Sequence, residues 1–576
     1  MILQALTSLY EALAQKGEIS KEGWSREKIS FALGIDENGD LLRITPLFET
    51  VDGPKGKTRE VPQKMTVPIK VGNTSPKFLW GNSGFILGTA NDKTPEAAKD
   101  CFKRNRDLHH EVLKGIEVPA AKAILSFFDR WEPEKTLENE LVTSCAGELL
   151  GKANMVFRFN GKFIHEIPQL AAAWQAHYGE TAKERGQCLI TGALDAIPNT
   201  HPLIKGVQGA QSSGAALVSF NASAFCSYNK EQNQNAPVGK YAAFAYTAAL
   251  NHLLADRKNV HRIGDAAVVC WAENADKQYE DFAAEVFFGD NVDKSDEQRL
   301  SALRTSLKLL ADGLPCKEMD LDPDRKFYIL GLSPNAARLA VRFFYCDSFG
   351  KIAGNIYKHH ERLEIVRPSY DKFPILPLWK LLSATVNPNA KDKTPNAAMA
   401  GAVARAVFSG GRYPASLLEC TFLRIKAERS ITRERAAIIK AYYLRNPNEK
   451  CPKEVLTVSL NENSKNIPYT LGRLFSVYEE IQQAANPGIN TTIKDRYFGS
   501  AAAMPATVFP ILSNLAQKHL RKLSDAQRVY LDKKVMTLKS VLGEQYPAHM
   551  SLPEQGSFDL GYYHQTQARY TKKEDK

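Results

Sequence analysis

The sequence predicts an α+β protein, in which a mixed N-terminal and central region with antiparallel sheets is followed by an all-α C-terminal helical bundle. Asn38-Gly39 and Asn160-Gly161 each sit between runs of apolar residues, and Asn-Gly supplies the positive φ values of a tight hairpin. Ala266 to Ala272 and Lys326 to Leu332 have the length and apolar content of buried strands. From Phe349 almost to the end, apolar residues recur at helical spacing.

The elements follow in order. Ile2, Leu6, Leu9, Tyr10 and Leu13 recur at helical spacing beside Glu11 and Lys16, which predicts an amphipathic helix and, without a basic leader, no signal peptide. Ile29 to Ile35 and Leu41 to Leu47 form a hairpin through residues 36–39. Residues 51–77 are rich in Lys, Gly and Pro and predict a basic, mobile loop that includes Lys64, Lys70 and Lys77. FLWGNSGFILG then reads as a strand or two interrupted by Gly81-Asn82-Ser83-Gly84. Residues 93–180 are largely helical, with MVFRFNGKF as a hairpin.

Further on, Arg338, Ala340, Arg342 and Phe344 alternate with Leu339, Val341, Phe343 and Tyr345, a strand with a basic and an apolar face. It pairs across Ser333-Pro334-Asn335, unless that Ser-Pro caps a helix instead. The helical half is broken at 367–378, 387–395 and 446–466, and the tail after Glu554 has no periodicity and is expected to fray. Four parts result: an N-terminal α+β domain with the basic loop (1–130), a central α+β domain (131–355), a helical connector (356–455) and the helical bundle (456–576).

A chain of 576 residues is too long for one ordinary core. Its net charge of +11 comes from 75 Lys and Arg against 64 Asp and Glu, which favours a polyanionic partner but predicts only weak non-specific attraction. Nine cysteines stand singly, with no C-x-x-C pair, so neither a disulfide framework nor a thiolate zinc site is suggested, and a reducing cytoplasm fits. No apolar run reaches the roughly 18 residues of a membrane span. His109-His110 and His359-His360 point about 100° apart on a helix and lack a second pair one turn away, so no metal is assigned. Asp320, Asp322 and Asp324 lack the glycine and glutamate of a calcium loop. Phosphate-loop, zinc-hydrolase and serine-hydrolase signatures are absent, and no cofactor is implied.

One stretch, 186–251, is polar without being charged. Between His201 and Pro237 it is dominated by Gly, Ser, Asn and Gln, yet it carries the apolar run Ala215 to Val218 and helical spacing at Tyr241, Phe244, Ala245 and Ala248. This predicts a glycine-rich loop, a short buried strand from Ala215 to Phe220, an amide-rich loop and a helix after Pro237. Glycines let backbone N–H groups approach phosphate, and amides both donate to and accept from base edges. The same amides could also cap turns.

HPLIKGVQGAQSSGAALVSFN followed by AFCSYNKEQNQNAPVGKYAAFAYTAALNHLL resembles the signature block of the large subunit of the type I-C Cascade, a CRISPR surveillance complex. MILQALTSLYEAL, PKFLWGNSGFILG, GRYPASLL, RAAIIKAYYLRN and the segment 471–510 resemble that family in the same order, across essentially the whole chain. Asn229 departs from it where a glycine is expected, and Gly239-Lys240 where Ser-Glu is common. The resemblance implies a cytoplasmic binding subunit and no enzyme. It would inspect the protospacer-adjacent motif in duplex DNA, help open an R-loop, and help recruit a separately encoded helicase-nuclease, while guide RNA reads sequence. The implied partners are guide CRISPR RNA, target duplex DNA, the backbone and 5′-handle-capping subunits, and the small subunit. A metal-dependent nuclease is the alternative.

On this reading the DNA contacts are Lys70, Asn73 and Asn82 in one block and Lys205, Gln208, Gln211, Ser212 and Asn235 in the other. The basic run Arg424 to Arg445, with Arg429 and Arg433, faces nucleic acid or a subunit or is a solvated face. Lys494, Arg496, Lys518, Arg521 and Lys522 lie on the bundle as a track for single-stranded DNA, with Tyr497 and Phe498 available for stacking or for the core. In the family this bundle resembles the small subunit and can be translated separately. Met399 is too early and Met504 too late for that start, which leaves non-AUG starts at Val455 or Val458.

Overall fold

A computed structural model describes residues 2–52, 58–69, 76–151, 153–180, 185–289 and 297–570. The architecture is α+β, with sheets in the N-terminal and central regions and helices beyond. The described residues pack as two compact units, one within 3–202 and 219–249, the other within 203–218 and 250–570.

The first unit begins with the expected helix, Ile2–Gln15, which buries Leu6, Leu9, Tyr10 and Leu13. Besides a short antiparallel pair, Arg185–Gln187 with Leu194–Ala196, its strands are Trp24–Ile29 (β1), Phe31–Ile35 (β2), Leu41–Pro46 (β3), Phe48–Asp52 (β4), Thr58–Pro68 (β5), Trp80–Asn82 (β6), Asn154–Phe159 (β7) and Lys162–Phe163 (β8). They form a sheet ordered β1-β5-β4 and a second ordered β3-β2-β7-β6, with β8 on β7. The expected β2–β3 and β7–β8 hairpins are present, and Asn160 and Gly161 take φ of 47° and 80°. One pairing departs from the antiparallel expectation: β2 and β7 are parallel. Parallel neighbours need a long crossover, here supplied by the helices Pro95–Val112 and Pro119–Arg130. Phe31, Leu33, Phe127, Phe128, Phe157 and Trp174 belong to the larger core, and Ile29, Met65, Val67, Trp80 and Val156 to a smaller one.

In the second unit, His261–Ile263 (β9), Ala266–Ala272 (β10), Lys326–Asn335 (β11) and Arg338–Ser348 (β12) form an antiparallel sheet in that order. The last hairpin turns at Ala336-Ala337, beyond the expected Ser333–Asn335, because β11 stays paired to Asn335 and Ala336 takes φ 52°. A bulge at Gly331/Leu332 interrupts the two-residue alternation of the last strand. It leaves Val341 exposed, and Arg342 reaches Asp265 at 2.7 Å.

The helical half shares one core, which runs from Ile263 to Tyr563. The tail corrects the sequence reading: Leu552–Ala568 is a helix, buried continuously from Gly556 to Gln565. It has no apolar stripe because it is buried on every side, against the helix Ile467–Ala485 among others. Several of its polar side chains bond to neighbouring segments. Tyr562 Oη donates to Glu479 Oε2 at 2.6 Å, Arg473 Nε donates to Gln565 Oε1 at 3.1 Å, and Tyr563 Oη donates to the Val366 carbonyl at 2.7 Å. Among the described residues, no helix is long and apolar enough to cross a membrane.

Candidate nucleic-acid interface

The first block is placed by a buried histidine. His109, on the helix Pro95–Val112, donates from Nδ1 to the Asn105 carbonyl at 2.7 Å, so its Nε2 is free to accept the Leu79 N–H at 2.9 Å. Leu79 holds φ 62°, unusual for leucine, and leads directly into β6. Asn82 closes β6 opposite Asn154 of β7. The segment after it is not a second strand but a helical turn, Ser83–Ile86. Asn82 Oδ1 is buried without a protein partner among the described residues, beside Gly84 and the aliphatic stem of Lys93. Lys77, expected in the mobile loop, is buried instead, its ammonium 4.7 Å from the Trp80 ring centroid. Lys70 and Asn73 lie outside the described residues.

Burial pushes His109 down to about 4, which matches the acceptor role of Nε2. The unfolded chain binds a proton near pH 6.5 that the folded chain refuses until about 4. Stability is therefore expected to fall as pH drops through that window. In denaturant titrations across it, His109→Asn should lower stability at neutral pH and flatten the slope by up to about 1.4 kcal/mol per pH unit. An unchanged slope would remove His109 from this role.

The amide-rich loop belongs to the same unit. Asn235 Oδ1 accepts the Ser227 N–H at 2.9 Å, and its Nδ2 donates to the Lys230 and Gln232 carbonyls, each at 3.0 Å. Its amide is therefore used in holding the loop, which corrects its expected reach to a base. Asn233 Nδ2 donates to the Val238 carbonyl at 3.2 Å, which turns its Oδ1 toward His201 Nε2 at 2.9 Å, and Tyr246 Oη completes the chain at His201 Nδ1. Burial holds His201 below its ordinary value. Tyr228, Asn229 and Gln232 take φ of 53°, 58° and 41°, so the family's glycine at position 229 matches a left-handed residue that asparagine also tolerates. Tyr228 is 95% exposed at the tip, an aromatic that the sequence reading passed over. Its signal was an isolated aromatic within a turn of amides.

The helix expected after Pro237 is Lys240–Ala255. Asp195 Oδ2 accepts the Tyr241 N–H at 3.1 Å, and a Cβ on Gly239 would collide with Asp195. This explains glycine at 239.

The glycine-rich loop lies in the second unit. Ile204 and Ala215 form an antiparallel bridge that closes residues 205–214 into a loop. Gly206, Gly209 and Gly214 have φ of 93°, 84° and 113°, and a Cβ on Gly214 would stand 2.7 Å from that of Leu203. The strand expected over Ala215 to Phe220 reduces to this bridge and one between Ala216 and Arg338, with no further strand pairing among the described residues. Asn251 accepts the Lys205 N–H at 2.8 Å, leaving the exposed ammonium to solvent. Gln208 Oε1 accepts from Arg262 at 3.1 Å, while Gln211 and Ser212 are exposed and have no side-chain partner among the described residues. Lys205, Gln208, Gln211 and Ser212 thus share one loop, and Asn82 and Asn235 belong to the other unit.

The basic run is two helices, Ala415–Glu428 and Arg433–Arg445, separated at Arg429 with φ 52°. Arg429 is exposed. Arg433 is not: it is 7% exposed and donates to Asp371 at 2.9 Å and to the carbonyls of Phe373 and Pro374. Arg435 and Lys440 are also buried and bonded, so these cations serve the fold, which corrects the solvent-facing expectation. Arg496, Lys518, Arg521 and Lys522 are exposed, while Lys494 lies 5.4 Å from the Tyr562 ring centroid. Phe498 belongs to the core.

A family model described as CRISPR-associated protein (Cas_Csd1) matches residues 6–570. No curated protein matches the chain. With nearly its whole length matched, including both site blocks and the buried C-terminal helix, the chain belongs to the Cas_Csd1 family of CRISPR-associated proteins.

Proposed function

We propose that the chain is the large subunit of a type I-C Cascade, which inspects the motif flanking a target in duplex DNA, promotes R-loop formation and helps recruit a helicase-nuclease that does the cutting. The observation that carries this reading is the family match across both the Asn82 block and the glycine and amide loops. Lys205 and the polar tip Gln208, Gln211 and Ser212 suit phosphate anchoring and base contact, and Asn82 offers an acceptor without a protein partner. Lys70 and Asn73 are assigned the same role. Asn235 acts by holding its loop. Arg429, Lys494, Arg496, Lys518, Arg521 and Lys522 contact nucleic acid or neighbouring subunits.

The test is reconstitution with guide RNA and the backbone and 5′-handle-capping subunits, then binding to duplexes with randomised flanking bases. Gln211→Ala or Asn82→Ala should weaken the preferred flank by about 1–3 kcal/mol and relax its selection. Uniform weakening on all flanks would make the residue a phosphate contact. Intrinsic cleavage of labelled DNA with divalent metal, abolished by one substitution in this chain, would overturn the binding-subunit reading in favour of a nuclease. The coding sequence also yields a helical fragment starting at Val455 or Val458 that serves as small subunit. Mass spectrometry of the purified complex finding only full-length chain would refute that product.

A further inference from the structure

Resting on the duplex-binding reading, the structure assigns a phosphate-binding face to the β1–β5 ribbon. In that antiparallel pair Lys28 stands directly opposite Lys64, and Arg26 opposite Thr66. Arg26 and Lys28 are two residues apart, so strand alternation puts them on the same face as Lys64. The opposite face carries Ile29, Met65 and Val67 into a core, so a one-residue slip of register would expose that core. Like charges directly opposite each other destabilise a sheet. Arg26, Lys28 and Lys64 are exposed, and none has an ion-pair partner among the described residues. Glu27 lines the same cleft but alternates to the other face of the strand, where it accepts from Ser25 Oγ at 3.4 Å.

The three cations, with Ser30, Pro62 and Asn154, line a cleft of about 600 Å³. Asn154 ties this cleft to the first DNA-reading block. Its Nδ2 donates to the Lys28 carbonyl at 3.0 Å, its carbonyl accepts the Ser30 N–H at 2.8 Å, and across the neighbouring strand it pairs with Asn82. A row of uncompensated cations beside the strand that carries Asn82 is an arrangement in which phosphate contacts fix the register of a duplex on the protein. The occupant is therefore the sugar-phosphate backbone of duplex DNA. The stretch 51–77, expected as a basic mobile loop, is corrected in part by β5, which carries Lys64, and neither it nor the glycine loop includes Arg26 or Lys28.

The test compares the reconstituted, guide-loaded complex with one carrying Lys28→Thr and Lys64→Thr, threonine being well suited to a strand. Relieving the cross-strand repulsion should raise the isolated chain's melting temperature by about 1–3 °C. Duplex binding should weaken by about eightfold per lost contact at roughly 0.1 M salt, with the slope of log K against log salt about 1.8 shallower for the pair. Lys103→Gln, on an exposed helix face, should change neither. A complex that binds duplex with unchanged affinity and slope in the double variant overturns this assignment alone. A change confined to guide-RNA assembly overturns the duplex as occupant, and a parent complex that binds no duplex overturns the functional reading and this face together.

Discussion

Arg433→Ala is expected to lose about 3–5 kcal/mol of stability, the cost of leaving a buried carboxylate without its guanidinium. Asp371 would keep Lys380, at 3.2 Å, but Lys380 is shared with Glu434 at 2.8 Å. Burial alone would raise Asp371. The Phe373 N–H, Arg433 and Lys380 outweigh burial and hold it below its usual value, which depends on those partners staying in place. Arg433 also satisfies the Phe373 and Pro374 carbonyls in the segment joining two helices, and these would be orphaned with it. Arg429→Ala should change stability by less than about 0.5 kcal/mol, as at other surface positions. Denaturant unfolding of the two variants side by side would check this, and similar losses at both positions would refute the assignment. It also decides which substitution is informative about nucleic acid. Charge reversal at Arg429 tests a surface, whereas at Arg433 it tests folding.

Gly561→Ala is expected to destabilise the C-terminal bundle by about 1–3 kcal/mol, although alanine is the better helix former. The helices Ile467–Ala485 and Leu552–Ala568 approach so closely that a Cβ on Gly561 would strike the Tyr469 carbonyl, and one on Gly472 the Phe558 carbonyl. Backbone atoms cannot rotate aside as a side-chain tip can. The internal control is Gly499→Ala, on the helix Ile493–Ala503, where an added Cβ meets nothing within 4 Å. There the same substitution should stabilise by about 0.5–1 kcal/mol. Opposite signs at the two positions in urea titrations would establish the close crossing, and a stabilising Gly561→Ala would refute it.

The pH dependence expected from His109 bears on the site as well as on stability. Protonated Nε2 cannot accept the Leu79 N–H, so acid should release the left-handed Leu79 and with it the strand that carries Asn82.

Local signals by themselves determined a large part of this protein. Asn-Gly pairs marked two hairpins: at Asn160-Gly161 both residues take the left-handed φ the turn needs, while at Asn38-Gly39 only the glycine does and Asp36 Oδ1 accepts the Asn38 and Asp40 N–H groups. Amphipathic spacing placed the first helix and most of the helical half, and the motif order placed the chain among CRISPR-associated proteins. What tertiary structure decided were the cases in which one residue's role is set by a partner far along the chain. The last helix carries no periodic stripe because neighbours surround it, so its glycines and polar side chains look like a frayed tail until Gly472, Glu479 and Arg473 are set against them. Arg429 and Arg433 are alike in sequence, and only Asp371, 62 positions before Arg433, separates a surface cation from a buried one. Asn235 and Gln211 are both loop amides, but the first has its hydrogen bonds used by Ser227, Lys230 and Gln232 while the second faces solvent. Lys28 and Lys64 are ordinary lysines in separate segments until strand register sets them opposite each other. Propensity acts over a few residues, whereas burial, pairing and charge proximity are properties of contacts across the chain.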